Sequence, residues 1–199
     1  MDTRARRGRI EFESGAMSMV EFDALHSEAN AGQAYGCLFC RTGKEKRIAG
    51  EIELELPDVR VIFAEKLRKR RQGRSSVEEA VTLFPGYLFF RADADFDAQI
   101  LARRTDVFRL LRDSEGIWHL RGEDLTLARG LFQANGVVGF SKAYYEGDRI
   151  RIVDGLLKTY EGRIIRVNRR SQTAQIALGM DGREVTVWLG FELIERNEL

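Results

Sequence analysis

The sequence predicts an α+β protein, a ferredoxin-like split βαβ domain followed by a small β-barrel. Three observations carry this. From residue 34 to 135, strand-like and helix-like stretches follow one another as β-α-β, a basic run, β-α-β and a closing helix. Beyond residue 143 the helical period stops, and short strands separated by turn residues take over. The chain of 199 residues is 44% hydrophobic, which is enough apolar material for two small cores. The expected organisation is an unstructured extension over 1–33, a first domain over 34–135, a linker over 136–143 and a barrel over 144–199.

The first 33 residues show no apolar period. Arg4, Arg6, Arg7 and Arg9 form a basic head, and acidic residues then dominate, so no structure is assigned. Met17 and Met19 leave an alternative start open. Residues 34–40 read as a strand. Thr42 and Glu45, three apart, read as a capping box for a helix whose Ile48, Ile52 and Leu56 share one face. Residues 59–63 form a second strand. The run 66–74 then packs six cations into nine positions: Lys66, Arg68, Lys69, Arg70, Arg71 and Arg74. It reads as a solvated loop, and its density on a chain of net charge +1 points to a polyanionic partner.

Leu83-Phe84-Pro85-Gly86-Tyr87-Leu88-Phe89-Phe90 places a tight turn inside an aromatic run. Side chains alternate across a strand, so these aromatics cannot all enter one core. Some of Phe84, Tyr87 and Phe89 should face a second surface, and Tyr87, with its polar tip, suits a half-wet edge best. A helix over 96–104, strands at 107–111 and 117–120 and a helix over 123–133 complete the domain. In the second half, strands are expected at 149–153, 162–167, 173–177 and 183–189. With no helix among them, closure into a barrel removes exposed edges.

The chemistry-bearing residue types form no catalytic set. There is no phosphate loop, no nucleophile beside a base and no metal constellation, so neither an enzyme nor a cofactor is expected. Cys37 and Cys40 have the C-x-x-C spacing, but on a strand they point to opposite faces, and His26 and His119 supply no second ligand pair. No apolar run approaches the ~20 residues of a membrane span and no signal peptide is evident, so a cytoplasmic protein is expected.

Tyr35, Thr42-Gly43-x-Glu45, Phe84-Pro85-Gly86-Tyr87 after a basic run, Gly147-Asp148-x-Ile150-Arg151-Ile152, and the stretch 154–164 occur in an order and spacing that resembles the NusG family of transcription elongation factors. The resemblance covers nearly all of 34–199. It implies an NGN domain followed by an SH3-like KOW domain, the glycines of 154–164 making a tight turn between barrel strands. It implies a monomer whose NGN domain docks on the clamp helices of RNA polymerase. The residues carried over for that contact are Tyr35, Phe84, Pro85, Gly86 and Tyr87. The basic run would meet DNA of the elongation complex.

Residues 149–174 hold seven cations against two acids. Arg151, Lys158, Arg163, Arg166, Arg169 and Arg170 suggest a barrel face for RNA, with solvated strand edges as the alternative. The basic barrel and long extension are similar to specialised members of the family, LoaP-type antiterminators above all, which implies a leader RNA hairpin as a partner. Leu156 stands where a proline is usual. Gly179-Met180-Asp181-Gly182-Arg183 lacks the aromatic that housekeeping members present to a ribosomal protein, which argues against that contact. Two other functions compete: a housekeeping adaptor between polymerase and ribosome or termination factor, and a KOW-type ribosomal or translation RNA-binding protein. The strand-rich barrel sequence predicts a single barrel fold with no helical switch.

Overall fold

The computed structural model describes residues 32–73, 75–180 and 182–195. The expected disordered extension lies, up to residue 31, outside the described residues, as do Arg74 and Asp181. From Gln33 onward the chain forms one compact unit.

Its centre is an antiparallel sheet of β1 (Gln33–Cys40), β2 (Arg60–Phe63), β5 (Tyr87–Asp93) and β6 (Val107–Leu110), in the order β2-β5-β1-β6. This is the ferredoxin-like order. Helices α1 (Glu45–Glu55) and α2 (Gln99–Ala102) cover one face. There Leu38, Cys40, Leu88 and Phe90 pack with Ile48, Ile52 and Leu101, all almost fully buried. Each such aliphatic side chain contributes roughly 1.5–3 kcal/mol of burial. The other face carries Tyr35, Cys37 and Phe89 and is covered by α3 (Gly122–Gln133) through Leu127, Ala128 and Leu131. Cys37 and Cys40 therefore belong to different cores, as the strand period requires.

The basic run is not a loop. It is β3 (Glu65–Gln72), paired along its whole length with β4 (Ser75–Thr82) and, in parallel, with the two-residue β7 (Val137–Val138). Cross-strand acids make this possible: Arg68 faces Glu79 and Lys69 faces Glu78. Residues 136–143, read from sequence as a linker, thus hold β7 and the start of β8.

The barrel half is a five-stranded sheet in the order β10-β11-β12-β8-β9. Its strands are β8 (Ser141–Glu146), β9 (Arg149–Asp154), β10 (Ile164–Asn168), β11 (Thr173–Met180) and β12 (Arg183–Leu193). Strict alternation in β11 sends Ala174, Ile176, Leu178 and Met180 inward, against Val187, Leu189 and Phe191 of β12.

Four expectations are corrected. Residues 117–120 are not a strand: Asp113 Oδ1 accepts the N–H groups of Glu115 and Ile117, and Trp118 stacks on Phe90 with centroids 5.1 Å apart. The helix expected over 96–104 shrinks to the single turn of α2. The expected glycine turn within 154–164 is instead a short helix α4 (Leu156–Thr159) and a 3-10 turn (Glu161–Arg163), so the barrel half is not helix-free. Gly155 starts α4 at φ +84°, where a Cβ would lie 2.5 Å from Ser141 Oγ; that oxygen accepts the Leu157 N–H at 3.1 Å. Lastly, no side chain caps α1, whose first-turn Glu45 is committed elsewhere.

Candidate binding surfaces

The turn Phe84-Pro85-Gly86-Tyr87 is fastened to the end of β1 and the start of α1. The Tyr87 N–H donates to Phe84 O (3.1 Å) and the Cys40 N–H to Gly86 O (2.7 Å). The Gly86 N–H donates to Glu45 Oε1 at 2.8 Å, and Glu45 is 6% exposed. Gly86 sits at φ +84°, and a Cβ there would lie 3.1 Å from both Cys40 O and the Phe39 ring. Burial, with the charges of Glu45 and Asp106 nearby, pushes the Cys40 thiol up to about 11, far from the thiolate a metal or redox site needs.

This turn sorts the aromatics. Phe84 and Tyr35 are core residues: Phe84 packs on Phe89 at 6.2 Å, and Tyr35 meets Phe132 of α3 edge-on at 5.3 Å. Of the five residues carried over for polymerase contact, Pro85 is exposed and Tyr87 half-buried, while Tyr35, Phe84 and Gly86 are buried. Tyr87 lies opposite Phe39 in the β1–β5 register, their rings 5.2 Å apart, and Phe39 lies 6.0 Å from Phe108 on β6. Phe108 is 59% exposed. Three neighbouring strands thus present Tyr87, Phe39 and Phe108 side by side, an outward aromatic corner of the kind interfaces favour. Sequence reasoning missed Phe39 and Phe108. The signal was present, because Tyr35, Cys37 and Phe39 share a face with Tyr87 and Phe89.

The cations of the hairpin are mostly engaged. Arg68 pairs with Glu79 at 2.6 Å, and Arg70 approaches the same carboxylate at 3.4 Å. Lys66 Nζ donates to the Trp188 carbonyl of β12 at 2.6 Å, and burial, with Arg68 nearby, holds its ammonium below the ordinary lysine range. Lys69 pairs with Glu192 of β12 at 2.7 Å and lies 4.8 Å from the centre of the Phe140 ring. Arg71 is exposed with no partner among the described residues.

The barrel cations divide similarly. Arg151 pairs with Glu146 (3.1 Å), Lys158 with Glu161 (3.2 Å), and Arg163 with Glu123 of α3. Arg169 donates to Asp148 and lies 4.6 Å from the Tyr145 ring centre, drawing the β8–β9 and β10–β11 turns together. Arg166 and Arg170 are exposed without partners among the described residues.

Helix α3 lies between the sheet and the barrel. A single apolar cluster runs from Tyr35 and Phe89 through Leu127 and Leu131 to Leu157, Tyr160 and Ile176. Gly130 allows close approach, since a Cβ there would lie 3.0 Å from Leu156. Among the described residues no group of acids, histidines and cysteines is arranged to hold a metal ion. No helix of the described residues is long and apolar enough to cross a membrane.

Residues 33–128 match the family model described as NusG, transcription termination factor nusG. The chain is 24% identical over 189 residues to a transcription termination/antitermination protein NusG of Thermus thermophilus, covering 88% of this chain and 97% of that one. A protein of the same description from Synechocystis is 25% identical over 158 residues, 73% of each chain. Among solved structures, one titled for domain interaction in Thermotoga maritima NusG aligns with a TM-score of 0.47 at 18% identity, over 79% of this chain and 93% of that one.

Proposed function

We propose, from the match of residues 33–128 to the NusG family model, that the chain is an elongation and antitermination factor of that family that docks on RNA polymerase through the Tyr87–Phe39–Phe108 corner. The observation that carries this reading is the exposure of Phe108 beside two half-buried rings. An aromatic cluster left open to water on a sheet end has no folding role that requires it there. A pair of polymerase clamp helices offers the apolar ridge such a corner accepts. Phe84 acts from beneath, holding the turn that positions Tyr87, while Tyr35 anchors α3 to the sheet.

Nucleic-acid contact is assigned to the β3–β4 hairpin, with Lys66, Lys69 and Arg71, and to Arg166 and Arg170 on the barrel. Phosphate contacts of this kind strengthen binding without selecting sequence. Arg166 and Arg170, without partners among the described residues, are assigned to an RNA contact, in line with a LoaP-type role on a leader transcript. Ribosome coupling is disfavoured, because Met180, at the tip where an aromatic would be presented, is 4% exposed.

Binding of the full chain to purified polymerase elongation complexes tests the reading. Wild type should bind and Tyr87→Ala/Phe108→Ala should not, with an unchanged circular dichroism spectrum. Equal binding by the folded double variant rejects the corner as the docking surface.

A further inference from the structure

A cleft of about 280 Å³ lies between the β3–β4 hairpin and the barrel, with Val81, Phe140 and Trp188 among its walls. Val187, Leu189 and Phe191 enter the barrel core, so strand alternation turns Trp188 and Gly190 outward. The Trp188 indole makes no ring contact with another aromatic among the described residues. Lys66 reaches the same cleft half-buried, and its one close partner is the neutral Trp188 carbonyl, at 2.6 Å. Among the described residues it has no carboxylate partner, unlike Arg68 with Glu79 and Lys69 with Glu192. At the Gly190 end, Thr173 stands opposite Gly190 in the β11–β12 register, and its hydroxyl lies 2.9 Å from that of Ser171. We infer that this cleft is a binding site for a free nucleoside monophosphate, with the phosphate on Lys66, the base against the Trp188 indole and the ribose hydroxyls toward Ser171 and Thr173.

Each part of the ligand answers a feature that folding leaves unmet. A half-buried ammonium with only a carbonyl dipole beside it carries a desolvation cost, and burial, with Arg68 nearby, holds it below the ordinary lysine range. A phosphate supplies the missing negative charge in a charge-assisted contact. Among the described residues that line the cleft, Lys66, Arg68 and Lys69 are cations and none is an acid. The indole offers a flat apolar face of the kind on which bases stack. Trp188 and Gly190, two apart on one strand face, are separated by about 7 Å, which spaces the base position from the hydroxyl pair by roughly one nucleoside. Gly190 also lets Phe140 close the wall, since a Cβ there would lie 2.4 Å from its ring. The volume is at the small end for ligand pockets, which run from roughly 300 Å³ upward, and suits one nucleotide rather than a strand. The site goes beyond the polymerase and nucleic-acid contacts proposed above and does not depend on them.

The test is calorimetric titration of the full chain with the monophosphates of uridine, cytidine, adenosine and guanosine, beside the nucleosides, inorganic phosphate and a short oligonucleotide of each base. The same titrations in a Trp118→Phe background, which leaves Trp188 as the sole tryptophan, are followed by emission. At least one monophosphate should bind saturably, more tightly than its nucleoside or inorganic phosphate, and quench Trp188. Lys66→Gln should weaken that nucleotide by about tenfold or more and leave its nucleoside unchanged, with an unaltered circular dichroism spectrum. Arg71→Gln, an equal charge change on an exposed residue that does not line the cleft, should leave both unchanged. Inorganic phosphate binding as tightly as the nucleotide would reduce the cleft to an anion site, and an oligonucleotide binding more tightly per nucleotide would make it a strand contact; either overturns the proposal. So does an equal loss in Lys66→Gln and Arg71→Gln, binding that leaves Trp188 emission unmoved, or the absence of heat with all four monophosphates.

Discussion

The Glu45 carboxylate accepts the backbone N–H of Gly86 at 2.8 Å, across 41 positions of sequence. This bond joins the two most distinctive stretches of the first domain, Thr42-Gly43-Lys44-Glu45 and Phe84-Pro85-Gly86-Tyr87. Glu45 starts α1 but caps nothing there. It satisfies a buried donor in a turn that only glycine adopts without strain, and so fixes where Tyr87 leaves the turn beside Phe39.

Glu45→Ala leaves the Gly86 N–H without its acceptor, at a cost of about 1–3 kcal/mol. Glu45→Gln retains an acceptor oxygen and should recover most of it. Urea unfolding of the two variants checks the order. Equal loss in both would show that the charge, rather than the hydrogen bond, stabilises the turn.

Phe84 and Phe108 should separate stability from docking. Phe84 is 2% exposed, so Phe84→Ala opens a cavity and costs about 3–5 kcal/mol, lowering polymerase binding indirectly, through loss of fold and of the turn that positions Tyr87. Phe108→Ala removes a mostly exposed ring and should change stability by no more than about 1 kcal/mol while weakening binding. Thermal melts beside elongation-complex binding decide this, and the reverse pattern would return Phe84 to the surface role.

Much of the fold was legible because period carries it: Ile48 and Ile52 mark a helix face, and Ala174, Ile176 and Leu178 mark a strand face. What escaped depends on long-range partners. Charge density made 66–72 look like a loop, since the acids that pair it into a strand, Glu78 and Glu79, come after the turn. Trp118 and Leu120 have strand propensity, but Trp118 is taken by Phe90 and the Leu120 N–H by Tyr35 O, so no ladder forms. At the candidate surfaces, residue type identified the aromatic and basic stretches. Exposure, which distinguishes Phe108 from Phe84, follows from how α3 and β1 pack, and local sequence does not carry it.

Two glycines of the α4 region should respond oppositely. Gly155→Ala combines a left-handed backbone at φ +84° with a Cβ 2.5 Å from Ser141 Oγ, the oxygen that accepts the Leu157 N–H. It should cost at least about 2 kcal/mol. Gly162→Ala meets open space and has no left-handed φ, so stability should hold or rise by up to about 1 kcal/mol. Paired chemical denaturation curves check both signs.

The Cys40 thiol supplies a pH dependence with a definite sign. Burial first, then the charges of Glu45 and Asp106, raise it from 9.0 to about 11. The folded state therefore keeps the proton that the unfolded chain releases sooner. Its contribution is fully present below pH 9.0 and is lost as pH rises toward about 11. The loss is of order 1–2 kcal/mol. Comparing unfolding midpoints at pH 7.5 and pH 10.5 in wild type and Cys40→Ala isolates the effect, because other alkaline titrations are common to both. The fall should be larger in wild type. In the folded protein at neutral pH, Cys40 should also resist thiol reagents until denaturant is added. An equal alkaline fall in the two proteins, or rapid native labelling of Cys40, would mean that the thiol ionises freely and that the Gly86 turn does not shield it.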